Sequence, residues 1–553
     1  MDFKRLLLAL SLSFLFIFTW QTFFVVPNME TNKTNAEPER DVETTNIEHV
    51  EVEVQKIDDF NFKTNQFNIS TDLMELGLDN GGTSISNLTI IEKEKQSFKH
   101  LGYWDYQLQV YDENSPVKII NTQTCNPCLV ESGSLVLFSD DQTLIEYDSN
   151  NKTHNIQSRS DKGITKNTIL HDTSYVVNHI FSNLNPSKQY TLVWNGGLEP
   201  TEKNVSEDLS MSTIFVEDKK SYDEEYISEA GERFVYNNIG WAGLKTKYFM
   251  KAITNQEYGT EKIKNVTFES QKNENLKLQN FVYNNIECEY GSGHESIHVY
   301  SYIGPIDTKH LEAKQTSHLV QLFGFGWFII GYLAQIILWL LTTLYAIIPN
   351  YGIICILFAF LIRIFTGPLT KQSFLSNQKL QKLQPKIKKI QEKYKADQGK
   401  LSQATMELYK KEGVNPIGGC LPILIQMPLL IALFQVFRKT IEFRGAEFLP
   451  IWITDLSQPD IIIQFAFLKN IPGINYFFGH GIALLPIIMG VVMFLSMKTT
   501  ATSTEPSQKF AMYFMNAFFV LLFNTFPSGL NLYYTIYNIL NFIQQHKLKQ
   551  LQI

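Results

Sequence analysis

Residues 351–369 read YGIICILFAFLIRIFTGPL, an apolar run broken by one strong base, Arg363. The run leads into 371–412, where eleven lysines stand against Glu392, Asp397, Glu407 and Glu412 for a net charge of +7. Short basic loops stay on the cytoplasmic side of a membrane, so this run is read as a span that ends inside. Working outward, residues 27–320 hold 45 acids and 26 bases, whereas the rest of the 553 residues hold 10 acids and 22 bases. The chain is therefore two chemically different objects joined together. A single soluble globule is excluded, as are collagen-like and wholly disordered chains, and five cysteines in this length make no disulfide framework.

Near the N-terminus, Leu6 to Val26 contains no charge and is long enough to cross a hydrocarbon core of ~30 Å. It ends on Phe23-Phe24-Val25-Val26-Pro27, without the small-residue cleavage site of a signal peptide, so it reads as a retained anchor. Lys4 and Arg5 keep its N-terminus inside, and residues 27 onward face outside. An odd number of crossings must then separate that outer region from the basic loop. Two adjacent runs compete, Leu322–Ile348 and Tyr351–Leu369. Trp327, Tyr332, Trp339 and Tyr345 give the first the composition of a helix lying at the interface, so 321–349 is assigned to the outer surface and 350–369 spans. Further spans are expected at 416–437, 481–497, 510–527 and 529–546, six with the anchor. An outer loop 438–480, a short cytoplasmic loop 498–509 and a cytoplasmic tail 547–553 join or close them. Arg438, Lys439 and Arg444 fall outside and oppose the charge rule.

The outer region opens with 27–60, polar, acid-rich and poor in aromatics, the composition of a flexible tether. From 61 to 320, β-branched and aromatic stretches bounded by Asn, Gly, Asp and Pro predict an antiparallel β-sandwich. His294-Glu295-Ser296-Ile297-His298 matches a zinc-protease pattern, which needs a helix to bring both imidazoles to one ion. Strand composition follows it, and on a strand residues i and i+4 lie ~13 Å apart, so no metal site is expected. Cys125-Asn126-Pro127-Cys128 in an oxidising compartment reads as a disulfide around a turn, structural or incidental, rather than a redox or zinc site. Phosphate-binding, nucleophile-elbow and intramembrane acid-pair motifs are missing, so no enzyme, cofactor or nucleotide is expected.

Within the apolar half, a charge at mid-helix is costly and normally faces protein or water-filled space. Arg363 either lines such a cavity or snorkels to the cytosolic surface about six residues away. Polar residues recur in the later spans: Gln426, Asn516, Asn524, Asn531, Thr535, Asn538 and Asn541. Asn531, Thr535 and Asn538 share a helix face. They either bond neighbouring helices or wet a cavity around Arg363. Between the spans, 370–415 reads as two helices broken near 396–399, with Leu380, Leu383, Ile387, Ile390 and Tyr394 forming a narrow seam interrupted by Pro385. This basic hairpin suits anionic lipid, ribosomal RNA or a nascent chain.

Ile362-Arg363-Ile364, Pro368-Leu369-Thr370-Lys371, Leu383-Gln384-Pro385-Lys386-Ile387, the run Asn415-Pro416-Ile417-Gly418-Gly419-Cys420-Leu421-Pro422, then Ile425-Gln426-Met427-Pro428 and Phe526-Pro527-Ser528-Gly529-Leu530 resemble the YidC membrane-protein insertases. Gly240-Trp241, Leu244-Lys245 and Ile303-Gly304-Pro305 extend the likeness into the outer domain. The resemblance implies a polytopic α-helical protein of the Gram-negative inner membrane, both termini cytoplasmic, with 27–320 periplasmic. Five of its six transmembrane helices would form an insertase core beside a large periplasmic β-sandwich. It further implies a groove open to cytoplasm and lipid, with Arg363 inside, Gln426 and Tyr534 in its lining, and Glu412 as counter-ion. Asn524, Asn531, Thr535 and Asn538 are added to the groove, and Leu383, Pro385, Lys386 and Ile387 mark the hairpin. Nascent membrane proteins, the Sec translocon, the ribosome through the hairpin and tail, and anionic lipids are the implied partners. Ala359 and Thr525 depart from the family's groove pattern, and the loop 438–480 is long. The rival function is a secondary transporter or channel, whose usual internal repeats are not visible here.

Overall fold

Apolar residues alternating between Asn, Gly and Asp punctuation become strand from Phe67 onward, and the apolar runs after 327 become helix. The computed structural model describes residues 66–550 except 80, 92–96, 106–107, 122–124, 219–220, 227–228, 256–261, 273–281, 312–316, 323, 326–327, 395–396, 415–420, 466–480 and 501–505. The expected anchor 6–26, the tether 27–60, the motif 415–420, residues 466–480 of the outer loop, 501–505 of the cytoplasmic loop and 551–553 of the tail therefore lie outside the described residues. Two units divide between 323 and 324.

The first unit is built on two large antiparallel sheets. One has nine strands, running edge to edge from Ser221–Tyr226 through Thr213–Asp218, Trp241–Lys245, Phe249–Asn255, Ser296–Pro305, Val176–Ser182, Thr165–His171 and Thr153–Arg159 to Leu144–Asp148. The other has six, from Arg233–Ile239 through Ile263–Lys272, Val282–Tyr290, Tyr190–Trp194 and Cys128–Glu131 to Ser134–Leu135. Strict alternation, as in Val176–Ser182 with Val177, His179 and Phe181 buried, sends every second side chain inward. Tyr290 of the smaller sheet donates to Asn255 Oδ1 of the larger at 3.0 Å, and Trp194, Trp241 and Phe249 are fully buried. Glycine is required at 243, where a Cβ would stand 2.2 Å from the Lys251 carbonyl and 2.5 Å from the Phe215 ring. The strand Ser296–Pro305 takes in His298 and leaves His294 in the preceding loop. Cys125 and Cys128 form a disulfide.

The second unit holds helices α1 (Phe328–Tyr345), α2 (Tyr351–Lys393), α3 (Gln398–Lys411), α4 (Leu421–Lys439), α5 (Leu484–Thr500), α6 (Pro506–Phe523) and α7 (Ser528–Gln550). The Asn350 side chain caps α2 by accepting from Ile353 N at 3.0 Å. A single helix of 43 residues then carries the chain past Leu369 and through Pro368 and Pro385, ~65 Å by helical rise. Pro385 removes one backbone bond, but Leu383 and Ile387 on either side of it pack on Val414, so the seam holds the helix together across the proline instead of being interrupted by it. The edge of the apolar run at 369 is likewise no edge of the helix. Among the described residues α2 alone is long and apolar enough to cross a membrane, while Ile329–Tyr345, Leu484–Lys498 and Met512–Phe523 are shorter apolar helices.

Helix α1 packs on α4 and α2 through one face, where Ala334, Ile337 and Leu341 are buried. Its opposite face, Ile329, Tyr332, Ile336 and Trp339, is exposed at three- and four-residue spacing. α7 lies against α2 on one side and α5 on the other.

Candidate functional site

Two helices meet around Arg363. From α2 come Arg363 itself and, one and two turns on, Thr366, Gly367 and Thr370. From α7 come Tyr537, Asn541 and Gln544 at four- and three-residue spacing, hence on one face. Arg363 as a residue is 8 % exposed. Its Nη1 donates to Thr370 Oγ1 at 3.3 Å, and its Nη2 donates to Asn541 Oδ1 at 3.1 Å and to Gln544 Oε1. Its carbon sits 5.5 Å from the centre of the Tyr537 ring, within cation–π range. Gln544 Nε2 donates to Gly367 O at 3.1 Å, and the Thr366 and Tyr537 hydroxyls are 3.2 Å apart. Asn541 Oδ1 also accepts from Gln545 Nε2 at 3.3 Å, and Gln545 Oε1 accepts from Ser496 of α5 at 2.6 Å. No acid takes part in this network among the described residues.

The residues expected to line a groove with Arg363 are placed as follows. Gln426 of α4 and Tyr534 of α7 have shielded polar ends, Nε2 and OH, and the Gln426 side chain faces the hydroxyls of Tyr534 and of Tyr533 beside it. Asn524 is clamped at the far end of α6, accepting from Ala483 N at 2.9 Å and donating to Gly481 O at 2.8 Å. Asn531 donates to Phe523 O and Phe526 O, at 3.0 and 3.1 Å, tying down the turn between α6 and α7. It stands ten residues before Asn541 on the same helix, ~15 Å by rise. Thr535 donates to Leu485 O of α5 at 3.3 Å, and Asn538 to its own helix at Tyr534 O. Three of the four added polar residues thus bond the turn, strand or helix that packs beside them, and the fourth bonds back to its own helix.

At the hairpin, Leu383 and Ile387 of α2 form a buried cluster with Val414, and Leu380, Leu408 and Tyr409 pack around it. Glu412 pairs with Lys386 at 2.6 Å rather than with Arg363, from which Lys386 stands 23 residues along α2, ~35 Å by rise. The Lys386 ammonium holds the Glu412 carboxyl below its ordinary range. Sequence reading missed Thr370, Tyr537 and Gln544 as companions of Arg363. A signal was present: Tyr537, Asn541 and Gln544 make a second polar face on α7, turned about 120° from the Asn531–Thr535–Asn538 face at 100° per residue.

The chain matches two family models, one described as YidC periplasmic domain over residues 66–340 and one as 60Kd inner membrane protein over 343–553. Among curated proteins it is similar to the membrane protein insertase YidC of Chloroherpeton thalassium, 30% identical over 506 residues that cover 87% of this chain and 82% of that one. It is also similar to those of Prosthecochloris aestuarii (37% identical, 64% of this chain and 60% of the relative) and Chlorobium luteolum (35%, 65% and 60%). The aligned part thus spans about 60% of the length of these last two relatives. A crystal structure of an active YidC insertase with its first transmembrane domain resolved aligns over 86% of this chain and 91% of that one, at 18% identity and a TM-score of 0.35.

Proposed function

The chain belongs to the YidC membrane protein insertase family, and on that premise we propose that it inserts nascent proteins into the inner membrane and helps them fold, with Arg363 as the group that draws in their polar segments. The observation that carries this reading is a cation buried between α2 and α7 on neutral partners alone. A guanidinium stays protonated in any protein environment, so such a site attracts carboxylates of a client's hydrophilic tail. Burial of the client's apolar helix in lipid, at ~25 cal/mol per Å², then drives release, and no nucleotide takes part.

In this reading the helical unit spans the membrane six times with the anchor 6–26, and 27–320 form a periplasmic β-sandwich. The exposed Ile329–Trp339 face of α1 supports placing that helix at the outer interface. Gln426 and Tyr534, polar ends shielded between α4 and α7 and facing each other, suit the groove lining. The lysine-rich hairpin and tail would meet anionic lipid and the ribosome, and the Sec translocon would share some clients.

Arg363→Ala tests the core of it. In proteoliposomes, insertion of a Sec-independent client with an acidic translocated tail should fall about tenfold or more. Insertion at the wild-type rate would refute the role of the charge.

A further inference from the structure

Arg363 has no acid to pair with in any apolar helix around it. α2 carries none before Glu392, and α4, α5, α6 and α7 carry none at all. The hydrogen bonds that its guanidinium makes among the described residues end on neutral oxygens: the Thr370 hydroxyl and two side-chain amides, Asn541 and Gln544, with the Tyr537 phenol beside them. Both amides accept from the same nitrogen, Nη2. That edge is where an incoming carboxylate would bind, because carboxylates match the guanidinium fork and make the stronger, charge-assisted bond.

The Gln544 amide has only one way to sit. Gly367 O can only accept and Arg363 can only donate, so the NH2 group must face Gly367 and the oxygen must face the arginine. The helix α7 therefore presents an oriented, uncharged acceptor to the cation. Glutamate has the same shape as glutamine, and aspartate the same shape as asparagine, so only charge separates an amide here from an acid.

We propose that Asn541 and Gln544 act as a weak latch on Arg363. They fix the guanidinium between α2 and α7 while leaving its charge uncompensated, and they yield Nη2 to the carboxylate of an acidic client segment. These are positioning residues that set the preference for acidic over uncharged segments. The proposal rests on the insertase reading above and deepens it.

The experiment uses the full chain in liposomes and one client in two forms, its short translocated tail carrying either aspartates or asparagines at the same positions. The readout is the ratio of the two insertion rates. Gln544→Glu installs a permanent partner for Arg363 and should lower the ratio about tenfold, with Asn541→Asp acting the same way. In an Arg363→Ala background neither substitution should move the ratio further, since coupled residues are non-additive. An unchanged ratio in both acid variants, with the ratio still lowered by Arg363→Ala, would overturn the latch and leave the insertase reading intact. An unchanged ratio in Arg363→Ala would overturn both. Equal losses for the two tails in the acid variants would reduce Asn541 and Gln544 to helix packing. Should Gln544→Glu fail to fold, Asn541→Asp decides alone.

Discussion

The lysines buried in the β-sheet unit and the arginine buried between α2 and α7 are treated differently. Each of the lysines is either paired or able to give up its charge. Burial works against the Lys247 ammonium, but Glu207, 3.0 Å away, outweighs it and holds the group above its ordinary range. Lys251 donates to Asn126 Oδ1 at 2.9 Å, and burial pulls it down to about 7, partly offset by Glu199, which burial in turn pushes up to about 8. Lys166, buried on the Thr83 carbonyl and the Phe181 ring, is pushed well below its ordinary range by burial. The cation buried between α2 and α7 is instead an arginine, Arg363, which has no such exit. A lysine can be made neutral by its surroundings and so become ordinary core. An arginine set among amides keeps a charge that only an outside anion can meet.

The contrast is sharpest in paired truncations. Lys247→Met strands Glu207 and should cost the β-sheet unit about 3–5 kcal/mol, read as a lowered unfolding transition of the full chain in detergent. Arg363→Met leaves only neutral acceptors, one of them still bonded to Gln545, and should cost the helical unit about 1 kcal/mol. Comparable losses would erase the distinction. Arg363→Lys keeps a cation but loses the planar fork, so the acid-over-neutral insertion ratio should drop about threefold, less than in Arg363→Ala.

Glu199 gives a smaller, pH-dependent effect. Its folded-state value of about 8 lies above the unfolded value of 4.5, so the folded chain keeps a proton that the unfolded chain releases. The stability it contributes is fully present below about pH 4.5 and is lost as pH rises toward 8. Glu199→Gln should therefore flatten the pH dependence of the β-sheet unit's melting temperature between those limits. A slope identical to wild type would show that the carboxyl does not titrate there. The smallest effect belongs to Lys386→Ala at the exposed hairpin, where the apolar cluster of Leu383, Ile387 and Val414 remains. Its melting temperature should match wild type, as exposed ion pairs contribute little.

Much of this was legible in one dimension. Arg363 stands out because hydropathy around it is uniform, and the hairpin seam follows from the spacing of Leu383 and Ile387. His294 and His298 could be separated from a metal site because the residues after them favour strand. The companions of Arg363 were not legible in the same way. The face of Asn531, Thr535 and Asn538 looks as suitable as that of Tyr537, Asn541 and Gln544, and nothing in α7 itself says which of them α2 will touch. Glu412 also lies close enough in sequence to the apolar helices to pass for a counter-ion, yet the length of α2 carries Lys386 to it instead.

Composition and periodicity determined that this chain has an acidic β-rich half and a basic, apolar helical half, and that one arginine lies within an apolar run, since burial preference and charge are properties of residues in order. Tertiary structure alone decided that α2 continues unbroken through Pro368 and Pro385 and that its arginine meets two amides of α7. Helix rotation about its axis, and the pairing that follows, are fixed only when side chains from distant parts of the chain pack together.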